Sequence, residues 1–254
     1  MHVLNLEKGK KIYLASDFHL GYPKGSIGRE REMKILRWLD AIAEDAALVV
    51  LLGDMFDFWY EYKKVVPKGF VRFQGKIASL VDSGVPVVLF AGNHDLWLFD
   101  YLSEELGVTV FKTPQTVVWN GKKIYLAHGD GLGKGDYAYK WLKKWIFTNR
   151  FLRWGFEWLH PNLGVGLAHF WSDSRKKDRH KEVFRGRENE WLWEYALEME
   201  AQNPHDYYVF GHRHLPLYLK VGEKSRYINL GEWLNFYTYA VFEGEKMHLK
   251  RFLK

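Results

Sequence analysis

Five short polar motifs, each set at the end of an apolar run, constrain this chain more than any other feature. They are Asp17-Phe18-His19, Gly53-Asp54-Met55-Phe56-Asp57, Gly92-Asn93-His94-Asp95, His128-Gly129-Asp130 and Gly211-His212-Arg213-His214. The runs before them cover residues 11–16, 47–52, 86–91, 123–127 and 207–210. Short runs rich in β-branched or aromatic residues, stopped by glycine or a polar residue, read as buried strands. Between the first two runs, Met33, Leu36, Trp38, Leu39 and Ile42 recur at helical spacing within residues 29–43, and a weaker helical pattern covers residues 69–81. Strands alternating with helices predict an α/β sandwich. In such folds ligands gather beyond the carboxyl ends of the strands, and all five motifs fall there. Residues 226–229, 236–242 and 246–252 read as further strands that complete the sheet.

The motifs supply carboxylate, imidazole and amide oxygen. That mixture suits a pair of borderline-hard divalent ions such as Mn, Fe or Zn. Two such ions about 3.5–4 Å apart can clamp the attacking and leaving oxygens of a phosphoryl transfer. The chain therefore reads as a two-metal phosphoesterase. Each motif alone is a weak sign, since a Gly-Asp is usually a turn. The five in this order, each after a strand, are a strong one.

Residues 133–190 stand apart. They hold 13 Lys and Arg against 7 Asp and Glu, so their net +6 equals that of the whole chain. They also hold 12 aromatics, five of them tryptophan. Trp141 and Trp145 are spaced i,i+4, as are Trp154 and Trp158, so each pair occupies one face of a predicted helix. Packing within the insertion is the simpler expectation for these pairs, and ligand stacking the other. His160-Pro161-Asn162-Leu163-Gly164 breaks the helical stretch. The basic run 175–179 reads equally as a solvated face or as a phosphate or membrane contact. His160 and His169 fall in the insertion and could touch substrate; His2, His180, His205 and His248 read as surface or structural residues.

Bulk properties narrow the class. A chain of 254 residues with 47% hydrophobic content builds one large α/β domain with an insertion, not a disordered polymer. With no cysteine, disulfides and thiolate metal sites are excluded. The amino terminus is polar without an apolar signal core, and the longest apolar runs fall far short of the roughly 20 residues that span a bilayer. A cytoplasmic protein is the expectation. The net charge of +6 favours anionic partners or serves solubility.

The motif series, spanning residues 17 to 214, resembles the calcineurin-like metallophosphoesterase superfamily. The resemblance implies a β-sandwich flanked by helices, holding two divalent metal ions, with Mn first and Fe or Zn also suited. It implies that Asp17, His19 and His214 bind one ion, that Asn93, His128 and His212 bind the other, and that Asp54 bridges both. His94 would then lie just outside the ions as general acid or transition-state stabiliser, with Asp57 orienting it. Asp95 and Asp130 would act as supports. The cations would lower the pKa of a shared water, whose hydroxide attacks phosphorus in line.

Residues 16–21 (SDFHLG), 53–59 (GDMFDFW) and 211–216 (GHRHLP) are similar to the UDP-2,3-diacylglucosamine diphosphatase family. That family cleaves the pyrophosphate of a nucleotide-linked lipid in lipid A synthesis, releasing UMP and a diacylglucosamine phosphate. It carries a helical cap between the HGD and GHxH motifs that holds the acyl chains. By this resemblance, residues 133–190 form a cap on a core of residues 1–132 and 191–254, and the protein sits peripherally on the inner membrane. The best-known branch has arginine where this chain has His94; GNHD is the general superfamily form. Two other readings remain. One is a metallophosphoesterase for another phosphodiester, a nucleotide or nucleic acid, with the insertion stacking bases. The other is a non-enzymatic interaction module, disfavoured because every expected ligand position holds a competent residue.

Overall fold

In the computed structural model, residues 2–134, 137–167 and 183–253 are described, and of His2 and Ala138 only the backbone. His169, His180 and the basic run 175–179 lie outside the described residues. Three parallel strands, β2 (Lys11–Ala15), β3 (Ala46–Leu52) and β4 (Val87–Phe90), alternate their side chains between two cores. Tyr13, Ala15, Val49, Leu51, Val87 and Leu89 face one way, and Ile12, Leu14, Val50, Leu52 and Phe90 the other. Both faces are buried, which is why these strands read as nearly continuous apolar runs.

The strands lie in two six-stranded sheets packed face to face. The first runs β12 (Lys246–Arg251), β11 (Thr238–Glu243), β2, β3, β4 and β5 (Thr109–Phe111). The second runs β1 (His2–Leu4), β6 (Gln115–Trp119), β7 (Lys122–Ala127), β8 (Tyr207–Phe210), β10 (Arg226–Leu230) and β9 (Pro216–Lys220). The C-terminal strands, read as completing one sheet, divide between the two: β10 joins the second and the β11–β12 hairpin the first.

Helices cover the outer faces. On the first sheet lie α1 (Ser26–Ile42) and α2 (Val71–Asp82), whose Ile35, Trp38, Leu39, Phe73 and Ile77 are buried against Phe18 and Trp233. Each fully buried side chain of that size contributes about 1.5–3 kcal/mol. A short α3 (Tyr101–Leu106) leads into β5. The described part of the insertion is helical: α4 (Tyr137–Leu142), a π-helical turn over Lys143–Phe147, α5 (Arg150–Glu157) and α6 (residues 161–167). Finally, α7 (Trp191–Gln202) lays Leu192 and Ala196 on the second sheet, against Tyr208, Phe210 and Tyr227. The carboxyl ends of β2, β3 and β4 from one sheet, and of β7 and β8 from the other, deliver the five motifs to one rim of the sandwich.

Candidate metal centre

Each motif begins where a strand stops, and the loops are tied to one another by main-chain hydrogen bonds. Asp17 N donates to Gly53 O (3.0 Å), His19 N to Asp54 O (3.0 Å) and Leu20 N to Met55 O (2.9 Å), so the first two loops run as a pair. Gly211 N donates to His128 O (2.9 Å), pairing the two loops of the second sheet. The sheets are joined across the rim by side chains. His212 N donates to Asp17 Oδ2 (3.0 Å), and His128 Nδ1 donates to the carbonyl of Leu52 (2.7 Å). That last bond orients the His128 ring and turns Nε2 toward Asn93 Oδ1 (3.3 Å) and Asp54 Oδ2 (3.4 Å), and against the effect of burial the Asp54 carboxylate holds the His128 pKa well above the usual histidine range.

The loops approach so closely that they require glycine. A Cβ on Gly53 would lie 2.6 Å from His128 Nδ1, and one on Gly92 would lie 2.2 Å from Asp54 Oδ1. Asp17, His19, Asp54, His212 and His214 all have positive φ, between 45° and 65°. For L-residues that conformation costs roughly 1–2 kcal/mol each, and it persists where surrounding structure over-determines it, as at functional sites.

Among the described residues, the potential ligand atoms of Asp17, His19, Asp54 and His214 lie within 4.8 Å of one another, and so do those of Asp54, His128 and His212. Asp54 belongs to both groups: its Oδ2 stands 3.8 Å from His19 Nε2 and 3.4 Å from His128 Nε2. Asp17 Oδ1 is 3.1 Å from His214 Nε2, whose other near neighbour is His19 Nε2 at 3.2 Å. Two imidazole nitrogens that face each other beside a carboxylate leave room for a shared cation. The fit can be tested on two buried polar atoms: Asp17 Oδ1 and His19 Nδ1 make no hydrogen bond, and the nearest group to Asp17 Oδ1 is the His214 ring at 3.1 Å. Buried polar atoms are nearly always paired, and a divalent cation at this donor set would engage Asp17 Oδ1.

The protonation states of His19, His212, Asp17 and Asp54 suit such a role. Burial pushes His19 and His212 down to about 4, so both keep a free lone pair at neutral pH. Burial opposes the charge on Asp17, yet His214 and His128 outweigh it and hold the carboxyl at about 2. Asp54 is likewise buried and is held well below the usual carboxylate range by His128 and His94. Asp95 is the opposite case: burial and the nearby Asp54 push it up to about 7.

Asp95 knits two loops together. It accepts from Gly92 N (2.7 Å), Asp54 N (3.2 Å) and Met55 N (2.7 Å). Half-buried His94 stands beside the cluster, with its ring 4.8 Å from that of His19. Its Nδ1 donates to the main-chain carbonyl of Asp57 at 2.7 Å, while the Asp57 carboxylate is 4.0 Å from His94 Nδ1 and 3.7 Å from His19 Nδ1. The bond that orients His94 thus comes from the backbone of Asp57, and the carboxylate lies between the two rings. Asp130 accepts from Tyr139 Oη (2.7 Å) and Lys143 Nζ (2.5 Å), linking the fourth motif to the insertion.

Arg31, Glu232 and Glu190, all outside the motifs, complete the frame. Arg31, buried in α1, donates to the carbonyls of His19 (2.5 Å) and Tyr22 and pins the first loop. Buried Glu232 accepts from Asn235 N (2.9 Å) and Phe236 N (3.2 Å), shaping the turn whose Trp233 N donates to Asp17 O (3.1 Å). Arg213 grips buried Glu190 through Nε (2.8 Å) and Nη2 (3.2 Å), and lies over the Trp191 ring at 4.5 Å. Of these, Arg31 leaves a trace in the sequence: a charge one helical turn before Ile35, on the apolar stripe of α1.

The insertion does not pack as expected. Trp141, Trp145, Trp154 and Trp158 are 58%, 55%, 62% and 76% exposed. The docking face of α5 is Phe156 instead, whose ring lies 4.7 Å from that of Tyr60, and the insertion is held by bonds from Trp97 Nε1 to Phe147 O and Tyr60 Oη to Arg153 O, both 3.1 Å. With those contacts on the inner face, the tryptophans are turned outward.

Comparison with known proteins follows the same lines. The calcineurin-like phosphoesterase profile matches residues 10–216. A Porphyromonas gingivalis protein named UDP-2,3-diacylglucosamine hydrolase is 39% identical, covering 94% of this chain and 97% of its own. An Azotobacter vinelandii protein of the same name is 28% identical over the same shares. Among solved structures, a predicted phosphoesterase from Streptococcus pneumoniae aligns with a TM-score of 0.40 at 12% identity, covering 94% of this chain and 87% of its own.

Proposed function

This chain belongs to the calcineurin-like phosphoesterase family of metal-dependent hydrolases, and on that premise we propose that it cleaves the pyrophosphate bond of UDP-2,3-diacylglucosamine, releasing UMP and 2,3-diacylglucosamine 1-phosphate. The observation that carries this reading is the juxtaposition of the His/Asp/Asn cluster with an insertion whose outer face is both apolar and basic. The end-to-end similarity to the Porphyromonas protein supports the same substrate.

In this reading Asp17, His19 and His214 hold one divalent cation, Asn93, His128 and His212 the other, and Asp54 both; manganese suits the set, with iron or zinc as alternatives. When bound, the cations supply charge neutralisation and a hydroxide nucleophile at neutral pH. The chain's residues do the rest. His94, anchored through Nδ1, presents Nε2 to the reacting phosphate, where a proton held on that atom stabilises the departing oxygen. Asp95 keeps the loops of Asp54 and His94 in register. Residues 133–190 act as the cap over a core of residues 1–132 and 191–254. The exposed tryptophans receive acyl chains and rest on the inner membrane surface, with Arg150 and Arg153 beside the head groups. Among the described residues, no helix is long and apolar enough to cross a membrane.

The test is hydrolysis of UDP-2,3-diacylglucosamine with Mn²⁺, following UMP, with Asp54→Ala as control. Rapid release that is lost in the control is expected. No release, alongside metal-dependent cleavage of a simple phosphodiester, would move the assignment to another anionic ester.

A further inference from the structure

Next to the candidate metal centre lies a second feature that the cluster does not use. A cavity of about 400 Å³ opens between the ends of β4 and β7 and the start of the insertion, and shares His128 and Asp130 with the centre. Lys112, Lys140, Lys143 and Lys144 line it, against Asp130 as the one carboxylate of the lining. Lys143 is engaged by Asp130 at 2.5 Å, and Lys140 by the carbonyl of Gly133. Lys112 and Lys144 have no carboxylate partner among the described residues, and each ammonium hovers over a ring, of Phe99 at 4.8 Å and Trp145 at 5.5 Å. Four lysines against one carboxylate give the cavity a net positive charge, which favours an anion.

The geometry points to a subsite for a nucleoside 5′-phosphate, the nucleotide half of the substrate, an assignment that rests on the reading proposed above. The size suits a small polar ligand, whereas two acyl chains need a long apolar surface such as the outer face of α5 provides. Pro114 and Leu132 give the cavity an apolar wall against which a base can lie. The shared His128 and Asp130 put the phosphate end at the edge of the metal centre, where the scissile bond must be. Polarity thus divides the substrate: the lysine-lined cavity for the nucleotide, the exposed tryptophans for the lipid.

The test is direct binding of two product-like probes, UMP and glucosamine 1-phosphate, to the metal-loaded full chain by calorimetry. Lys112→Ala/Lys144→Ala should weaken UMP binding at least about tenfold, as expected for lost hydrogen bonds to a charged group, and glucosamine 1-phosphate much less. Lys112→Gln/Lys144→Gln provides a second variant should the alanine pair fold poorly. Lysine acetylation of the unsubstituted protein gives an independent readout, with Lys112 and Lys144 shielded by UMP. Unchanged UMP affinity together with unshielded lysines overturns the subsite. Equal loss for both probes overturns its assignment to the nucleotide. UMP release from the lipid substrate by the unsubstituted protein is measured alongside. Failure there falls on the proposed activity, and unchanged affinity in the variants falls on the subsite alone.

Discussion

Asp54 concentrates the logic of single residues in this protein. Its main-chain N is held by Asp95, its Oδ1 accepts from His94 N (2.8 Å), and its Oδ2 faces both His19 and His128. A left-handed backbone at five of the seven proposed ligands shows that the loops are shaped for side-chain direction at the expense of local conformation. Asn93 and His94 lie on the same loop and are separable from folding, since both are only half-buried. Asn93→Ala or His94→Ala should therefore lower turnover by at least about 10²-fold, the usual effect of removing a group that stabilises transition-state charge, with little change in circular dichroism. Turnover within a few-fold of the parent would remove both residues from the chemistry. The motif residues were legible in the sequence because the chemistry demands particular side chains at particular spacings. Arg31 left only its place on the apolar stripe of α1 as a trace, and Glu232 none, because a buried charge that serves a backbone carbonyl or a turn has no spacing rule.

Among the elements, the α4–α5 insertion is the one whose role depends on orientation. Its chemistry was visible as a basic, aromatic stretch, and its helices as i,i+4 pairs. Which aromatics face inward was not visible, because α5 chooses Phe156 as its anchor through the partners Tyr60, Tyr62 and Trp97, which lie about 60 to 95 residues earlier in the chain. Exposed apolar clusters of this kind mark interaction surfaces. Replacing Trp141, Trp145 and Trp154 by glutamine should abolish activity on the lipid substrate and sedimentation with anionic vesicles, while a small chromogenic phosphodiester is still cleaved. Equal loss on both substrates would sink the acyl-binding role. The fifth motif is coupled to the same insertion through Arg213 and Glu190, so the chain leaves and re-enters the core at anchored points, Asp130 and Glu190.

For the whole molecule, the two-cation reading ties metal binding to the stability of the fold. The rim gathers buried carboxylates and imidazoles from both sheets, and Asp17 Oδ1 is buried without a hydrogen bond. A ligand present at 100 times its Kd stabilises by about 2.7 kcal/mol, so stripping the metal with a chelator should lower Tm by about 5–10 °C for a chain of this size. Calorimetry before and after chelation, with two divalent ions per chain counted by elemental analysis, checks this. An unchanged Tm in a protein that carries no metal would contradict the two-cation reading.

The sequence by itself determined the α/β class, the strands that precede the motifs and the residue types at the rim. Each of these follows from local rules: short continuous apolar runs, strand-end placement and the donor set that divalent cations require. Only the tertiary structure decided how the C-terminal strands divide between two sheets, which side of the insertion faces water, and that the backbone of Asp57 anchors His94 while its carboxylate lies nearer His19. The reason is physical. A strand or helix carries its own periodicity, but its partner is selected by competition among all the apolar faces of the chain, and no window of neighbouring residues contains that competition.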